Sequence, residues 1–304
     1  MKMVSLKKLN HLALQITEQI DRLGGENIMN IAVLSGKGGT GKTTVSTNLA
    51  SALKLNYVDS DVEEPNGFLF LNPEIEERKK VMVEYPIIDK DKCALCGECA
   101  RVCQFNSLAK VKDKIILFQN LCHSCGTCEV ACKYGVITYG ERETGLIEIG
   151  KTENVYCSRG ILNIGEPMAV AVIKNLLKEV EGKDNLIDCP PGTSCNIVNV
   201  LKYADAAILV TEPSQFGFHD LAIAVEVVRM FKIPFGIIIN KDDGKDNMIR
   251  KYCKKENIEL IGSIPYRRDI AQAYSKGETL YNNSKFKSIF EELASRTKEV
   301  LKWN

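Results

Sequence analysis

Two groups of residues in this sequence have the types and spacing that do chemistry. The first is Gly36-Lys37-Gly38-Gly39-Thr40-Gly41-Lys42-Thr43-Thr44, which fits G-x-x-x-x-G-K-[ST]. Glycines allow backbone N–H groups to approach phosphates, and a helix beginning at the end of such a loop favours their negative charge. Lys42 is expected on the β- and γ-phosphates and the Thr43 hydroxyl on Mg²⁺. The second group is a pair of cysteine runs, Cys93-x2-Cys96-x2-Cys99-x3-Cys103 and Cys122-x2-Cys125-x2-Cys128-x3-Cys132. Close spacing of this kind is typical of thiolates that bind metal rather than of disulfides.

The elements around the first group suit it. Ile31 to Leu34 reads as a short apolar strand and Thr43 to Leu55 has helical periodicity, so the glycine loop sits between a strand and a helix, as the motif requires. Further strands are predicted at Leu55 to Val58, Asn185 to Ile187, Ala206 to Val210, Phe235 to Ile239 and Leu260 to Ile264, separated mostly by helix-length segments such as Leu221 to Phe231. Such alternation predicts an α/β fold, a mostly parallel sheet with helices on both faces. Between about Pro86 and Tyr139 the composition shifts to cysteine, glycine and lysine, and Lys92 to Lys110 and Leu121 to Thr138 share one cysteine spacing. Residues 86–139 are expected to be an insertion into a nucleotide domain made of 29–85 and 140–304.

Composition narrows the function. The chain has 304 residues, 45% hydrophobic and 26% charged, with a formal net charge of +1. That balance gives no basic footprint for nucleic acid. No apolar run approaches the roughly 20 residues that span a bilayer, and the N-terminal stretch lacks a signal-peptide core, so a reducing, cytoplasmic setting is expected. Leu6, Leu9, Ala13, Ile16, Ile20 and Leu23 recur at helical spacing before Gly24-Gly25, which predicts an amphipathic helix over 5 to 23. Packing on its own domain is the plainer role for that helix, within an extension over 1–28.

The phosphate loop, Tyr57-Val58-Asp59-Ser60-Asp61, Asp188-Cys189-Pro190-Pro191-Gly192-Thr193 and Thr211-Glu212-Pro213-Ser214-Gln215-Phe216-Gly217-Phe218-His219-Asp220 together resemble the MinD-like P-loop ATPases with a deviant Walker A motif. The resemblance covers the chain from Met29 onward. It implies a dimer, with itself or with a related ATPase, in which Lys37 reaches the partner's nucleotide. It further implies that Asp61 orients the attacking water, that Asp188 holds Mg²⁺ through a water, and that Gly192 senses the γ-phosphate. Asn240-Lys241-Asp242-Asp243 fits the Asn-Lys-x-Asp pattern by which many GTPases read guanine. The MinD-like group uses the matching asparagine, here Asn240, for adenine, which favours ATP and leaves GTP open.

Both cysteine runs are similar to the run of bacterial two-cluster ferredoxins, an α+β domain in which the fourth cysteine of each run serves the other cluster. That likeness implies one [4Fe-4S] cluster on Cys93, Cys96, Cys99 and Cys132 and a second on Cys122, Cys125, Cys128 and Cys103. Gly97 and Gly126 suit tight wrapping. The usual proline after the fourth cysteine is replaced by Gln104 and Lys133. Zinc competes for four-cysteine sites with x2 spacing, but the x3 step and the interlocked repeat favour clusters. Electron transfer to a protein partner is then the expected task, and maturation of a metal cofactor the alternative. Cys157, Cys189, Cys195 and Cys253 lie outside the runs and are expected in the core, as free cysteine usually is; the alternative for Cys189 and Cys195, which flank the switch loop, is the place where related cluster carriers bind a cluster across their dimer interface. His219, flanked by Phe216, Phe218 and Leu221, is expected to be structural.

Overall fold

The computed structural model of the chain describes residues 28–245 and 247–303, so the helix expected over 5 to 23 lies outside the described residues. Eleven strands run in chain order: β1 Asn30–Leu34, β2 Asn56–Asp59, β3 Glu74–Ile88, β4 Leu108–Val111, β5 Lys114–Leu117, β6 Ile137–Lys151, β7 Tyr156–Leu162, β8 Asn185–Asp188, β9 Ala206–Thr211, β10 Phe235–Asp242 and β11 Leu260–Pro265. Nine of them form one sheet in the order β11-β10-β9-β1-β8-β2-β7-β6-β3. From β11 across to β7 every pairing is parallel.

The parallel part is covered on both faces because its strands are apolar on both. In β1, Ala32 and Leu34 enter one core while Ile31 and Val33 enter the other. β9 repeats this, with Ala207 and Leu209 on one side and Ala206, Ile208 and Val210 on the other. Helices Ala169–Glu179, Cys195–Leu201, Gln215–Phe231 and Met248–Glu256 supply the first core, and Lys42–Leu53, Arg268–Ser275 and Lys287–Leu301 the second. This is the α/β P-loop fold that the sequence pattern predicts, and all six strand positions expected from it are strands. Among the described residues no helix is long and apolar enough to cross a membrane.

The other edge of the sheet departs from the expectation. β6 pairs antiparallel with β7, and β3 antiparallel with β6 along its whole length. β3 reads EIEERKKVMVEYPII, and its charges mask the strand pattern while blunting an exposed sheet edge. Its Pro86 is tolerated because an edge strand has one unpaired side. β7 reaches only from Lys151 to Gly145 of β6, so beyond Gly145 the stretch 137–144 has β3 as its one paired neighbour, through residues 137–143. At about 3.4 Å per residue, this overhang is roughly 27 Å long. It leaves the sheet at the C-terminal end of β7, the edge on which the parallel strands also end.

A β-bulge marks the point of departure: Val81 pairs with Gly145 and Met82 with Glu143, leaving Thr144 as the extra residue. Thr144 Oγ1 donates to Glu166 at 3.2 Å, its carbonyl accepts from Asn163 N–H at 3.0 Å, and Arg142 pairs with Glu166. The loop after β7 is thereby fastened to the base of the ribbon. Beyond the ribbon, residues 89–136 hold the β4/β5 hairpin and two short helices, Glu98–Val102 and Thr127–Ala131, packed on each other. The stretch expected as an insertion begins and ends inside the two ribbon strands.

Candidate functional site

The carboxyl ends of β1, β2, β8, β9 and β10 meet around the loop Gly36 to Gly41, the position where open α/β sheets bind ligands. Gly39 and Gly41 have φ of +80° and +87°, which side chains avoid. A Cβ on Gly38 or Gly39 would meet nothing within 4 Å, so open space lies over that stretch of backbone. A Cβ on Gly41 would lie 1.9 Å from Asn240 Nδ2. That amide donates to Thr40 O at 2.8 Å and ties β10 to the loop. Thr40 Oγ1 is buried without a hydrogen-bond partner. An open cradle beside an orphaned hydroxyl is a donor set that fits phosphate.

Helix Lys42–Leu53 follows the loop and places Lys42 in the interior, with its Nζ 2.5 Å from Asp188 Oδ1. Asp188 also accepts from Ser46 Oγ at 3.1 Å and from Tyr57 OH at 3.0 Å. Tyr57 OH is 3.2 Å from Asp59 Oδ2, which accepts from Gly67 N–H at 2.9 Å. Burial disfavours charge on Lys42, but Asp188 beside it more than offsets this and holds the ammonium above its ordinary value. Burial and the nearby Asp188 charge push the Asp59 carboxyl up to about 7, and burial pushes Asp61 up to about 6. Tyr57 is raised well above its usual range by the same burial and the Asp188 charge. A completely buried carboxylate pair with one lysine is short of positive charge, which a divalent cation near half-buried Thr43 would supply.

The remaining site residues line the same edge. Lys37 Nζ lies 2.9 Å from Glu212 Oε1, and Lys241 Nζ lies 3.1 Å from Glu212 Oε2 and 3.0 Å from Gly39 O. The hydrogen bond from Lys37 holds Glu212 below the usual carboxylate range. Gly36 abuts the Asp220 backbone, 2.3 Å from where its Cβ would be. Gly192, at φ +89°, donates its N–H to Ser35 O at 3.0 Å. Sequence reasoning missed the counterion role of Glu212 and the bridging role of Tyr57. Position at a strand end was their only signal. His219 does not sit in a crowded interior: its side chain is 74% exposed beside Asp220, because helix Gln215–Phe231 turns that position outward. Cys157, Cys189 and Cys253 are buried as expected, with burial pushing Cys157 up to about 12 and Cys253 to about 11, whereas Cys195 is exposed.

The eight remaining cysteines are brought together at the far end of the ribbon. Cys93, Cys96, Cys99 and Cys132 line one small cavity, and Cys103, Cys122, Cys125 and Cys128 line another. The packing of helix Glu98–Val102 on Thr127–Ala131 crosses the runs in this way. Leu95 and Ser124, at φ +52° and +51°, and Gly97 and Gly126, at +83° and +73°, curl each run around its cavity. Backbone N–H groups of Val136, Tyr134 and Gly135 hold the Cys132 thiol below its ordinary value. Burial opposes the same effect at Cys103, but the Ser107 hydroxyl and the amides of Phe105, Ser107 and Leu108 prevail. Cys99 and Cys128 are raised by burial. Among the described residues no three His, Cys, Asp or Glu side chains are gathered tightly enough for a single metal ion. Four thiols around each cavity, one of them amide-stabilised, are a donor set that fits a polynuclear iron-sulfur group.

Fold and phosphate site define the class. The family model of the CobQ/CobB/MinD/ParA nucleotide binding domain matches residues 31–280, and the chain belongs to that family. An uncharacterized protein of Methanocaldococcus jannaschii is 33% identical over 276 residues, 88% of this chain and 97% of its own. The iron-sulfur cluster carrier protein of Pyrococcus horikoshii is 26% identical over 298 residues, 90% of this chain and 86% of its own. Among solved structures, the septum site-determining protein MinD complexed with Mg-ADP from Pyrococcus horikoshii has the same fold, with a TM-score of 0.57 at 21% identity over 90% of this chain and 96% of that one.

Proposed function

We propose that this chain is a dimeric, cytoplasmic ATP-hydrolysing iron-sulfur protein in which nucleotide state governs electron transfer to a protein partner. The observation that carries this reading is the position of the two cysteine cavities, on a ribbon leaving the same sheet edge that forms the phosphate site. The ribbon is also tied to a switch segment. Its strand β6 pairs with β7, and Leu162 N–H at the end of β7 donates to Val62 O at 2.8 Å, one residue from Asp61.

In this reading Gly36 to Thr44 cradle the phosphates of ATP, Lys42 neutralises them, and Thr43 and Asp188 hold Mg²⁺. Lys37 leaves Glu212 for the phosphates of the partner's nucleotide, Asp61 orients water, Gly192 reports the γ-phosphate and Asn240 contacts the base. Residues 86–139 form a ferredoxin-like domain with two [4Fe-4S] clusters, on the ligand sets that line the two cavities. When bound, those clusters supply one-electron chemistry. The partner subunit is a second copy or a related ATPase.

The names of relatives favour a second reading, a cluster carrier or assembly ATPase, since one is called an iron-sulfur cluster carrier protein and another, from Brugia malayi, a cytosolic Fe-S cluster assembly factor homolog. One experiment separates the two. Asp61→Ala should bind ATP yet hydrolyse it slowly, and cluster potentials should differ between the nucleotide-free, ADP and trapped-ATP states. A tenfold coupling corresponds to about 1.4 kcal/mol, or about 59 mV for one electron. Equal potentials and equal reduction rates in all three states, together with iron lost to an apo-acceptor, would establish the carrier reading instead.

A further inference from the structure

The two cysteine cavities arise from one repeated chain pattern, so residues at equal steps from the two runs can be compared, and the donors around the sulfurs are not equal. Ser107, four residues after Cys103, places its Oγ 3.1 Å from Cys103 Sγ, whereas the residue four after Cys132 is Val136, which offers its backbone N–H but no side-chain donor. Thr127, two after Cys125, has its Oγ1 3.4 Å from Cys125 Sγ, whereas the residue two after Cys96 is Glu98. Tyr139, seven after Cys132, folds back over Gly126, where a Cβ would lie 3.8 Å from its hydroxyl. That hydroxyl is buried on the lining of the Cys122 cavity, beside Cys128 and the Glu129 carboxylate. The residue seven after Cys103 is Lys110, whose aliphatic stem covers Gly97 while the residue as a whole is exposed. Three hydroxyls thus face the Cys103/Cys122/Cys125/Cys128 cavity. The other cavity carries Val136, Glu98, whose carboxylate pairs with Arg101 at 2.6 Å, and Tyr134, which is 55% exposed.

We propose that the cluster held by Cys103, Cys122, Cys125 and Cys128 has the higher reduction potential of the two, and that Ser107, Thr127 and Tyr139 set it. This rests on the cluster reading of the cysteines above. Reduction adds one electron and puts more negative charge on the sulfurs, so hydroxyl donors aimed at them stabilise the reduced form.

The assignment gives the pair a direction. The Cys122 cavity is lined by Pro86 and Tyr139, which pair in the ribbon nearer the sheet, and Ser124 Oγ bonds the Glu84 carbonyl there. The Cys93 cavity is lined by Ile88 and Ile137, the last pair of the ribbon. An electron from a low-potential one-electron donor protein would reduce an outer cluster held there and, on passing inward, leave it reoxidised and the inner one reduced, with no proton moved. It comes to rest at the cluster nearer the nucleotide edge.

The test is a redox titration of the full chain monitored by electron paramagnetic resonance, with iron and sulfide assayed in every sample. Wild type should show two separated steps. Ser107→Ala, Thr127→Val and Tyr139→Phe, singly and combined, should lower the upper step and leave the lower one in place. For the combined variant the expected change is about tenfold in the reduced-to-oxidised ratio, about 59 mV for a one-electron couple. The single variants decide the matter if the combined one loads no iron. Hydroxyl variants that move neither step, or that move the lower one, would overturn the assignment, as would coincident steps in wild type. Wild-type protein without iron and sulfide would instead remove the cluster reading itself.

Discussion

The phosphate loop and the cysteine loops are both tight turns bent by residues at positive φ, yet they are supported in different ways. The phosphate loop stands on a sheet with a large core on each face, and the residues behind it, Asp59, Asp188, Tyr57 and Ser46, are completely buried. The cysteine loops stand on four buried residues, Cys99, Leu108, Cys128 and Ile137, and two of those are cysteines of the metal-type runs. A core that small does not offset the chain entropy of a domain of this length, and bound metal is the usual remedy. The contrast places the nucleotide site on a well-packed scaffold; on the cluster reading proposed above, the far end of the ribbon is folded by what its cysteines hold.

Removing the iron should produce the largest effect. In chelated, reduced protein, backbone amides over 89–136 should lose most of their protection from hydrogen exchange, while those of β1, β8 and β9 keep theirs and nucleotide still binds. Equal protection with and without iron would mean that the far end folds unaided.

Paired truncations sharpen the contrast at a smaller scale. Leu176→Ala, in the core under helix Ala169–Glu179, should lower global stability by about 2–5 kcal/mol. Leu108→Ala, the same chemistry in the small core, should leave unfolding of the nucleotide region unchanged and hasten only the loss of iron absorbance. Denaturant titration followed at both signals checks this. A shared transition in both variants would join the two regions into one cooperative unit.

The smallest effect concerns pH. Asp59 is raised from 3.8 to about 7, so between about pH 4 and 7 the folded chain holds a proton that the unfolded chain has released. Its contribution to stability is complete below about pH 4 and is lost as pH rises through 7. Wild type should therefore gain in melting temperature over Asp59→Asn on going from pH 8 to pH 5, to the same extent in chelated protein. A pH-independent difference between the two proteins would show that Asp59 is not protonated in the fold.

Much of this arrangement was legible in the residues because it is written locally. The glycines and Lys42 of the phosphate loop are adjacent in the chain, and the two-faced apolar strands β1, β8, β9 and β10 stand out from the helices between them. The spacing within each cysteine run likewise fixes which thiols can share a turn. The ribbon was not legible: β3 and β6 carry charge on an edge that water reaches, so their alternation is weak, and β7 is read only through its neighbours. His219 failed for a related reason, since aromatic neighbours in sequence lie on other faces of a helix.

What the sequence by itself determined is the phosphate loop, the parallel sheet behind it and the repeat of the cysteine runs. Only the tertiary structure decided that Lys42 meets Asp188 and that Glu212 takes both Lys37 and Lys241. It also decided that Ser107, Thr127 and Tyr139 fall around one cavity and Tyr134 around the other. The first set depends on bonds between near neighbours and on periodicity, which a chain carries wherever it goes. The second joins residues far apart in sequence, and their meeting is fixed by which strands pair and by the bulge at Thr144 that aims the ribbon past the sheet.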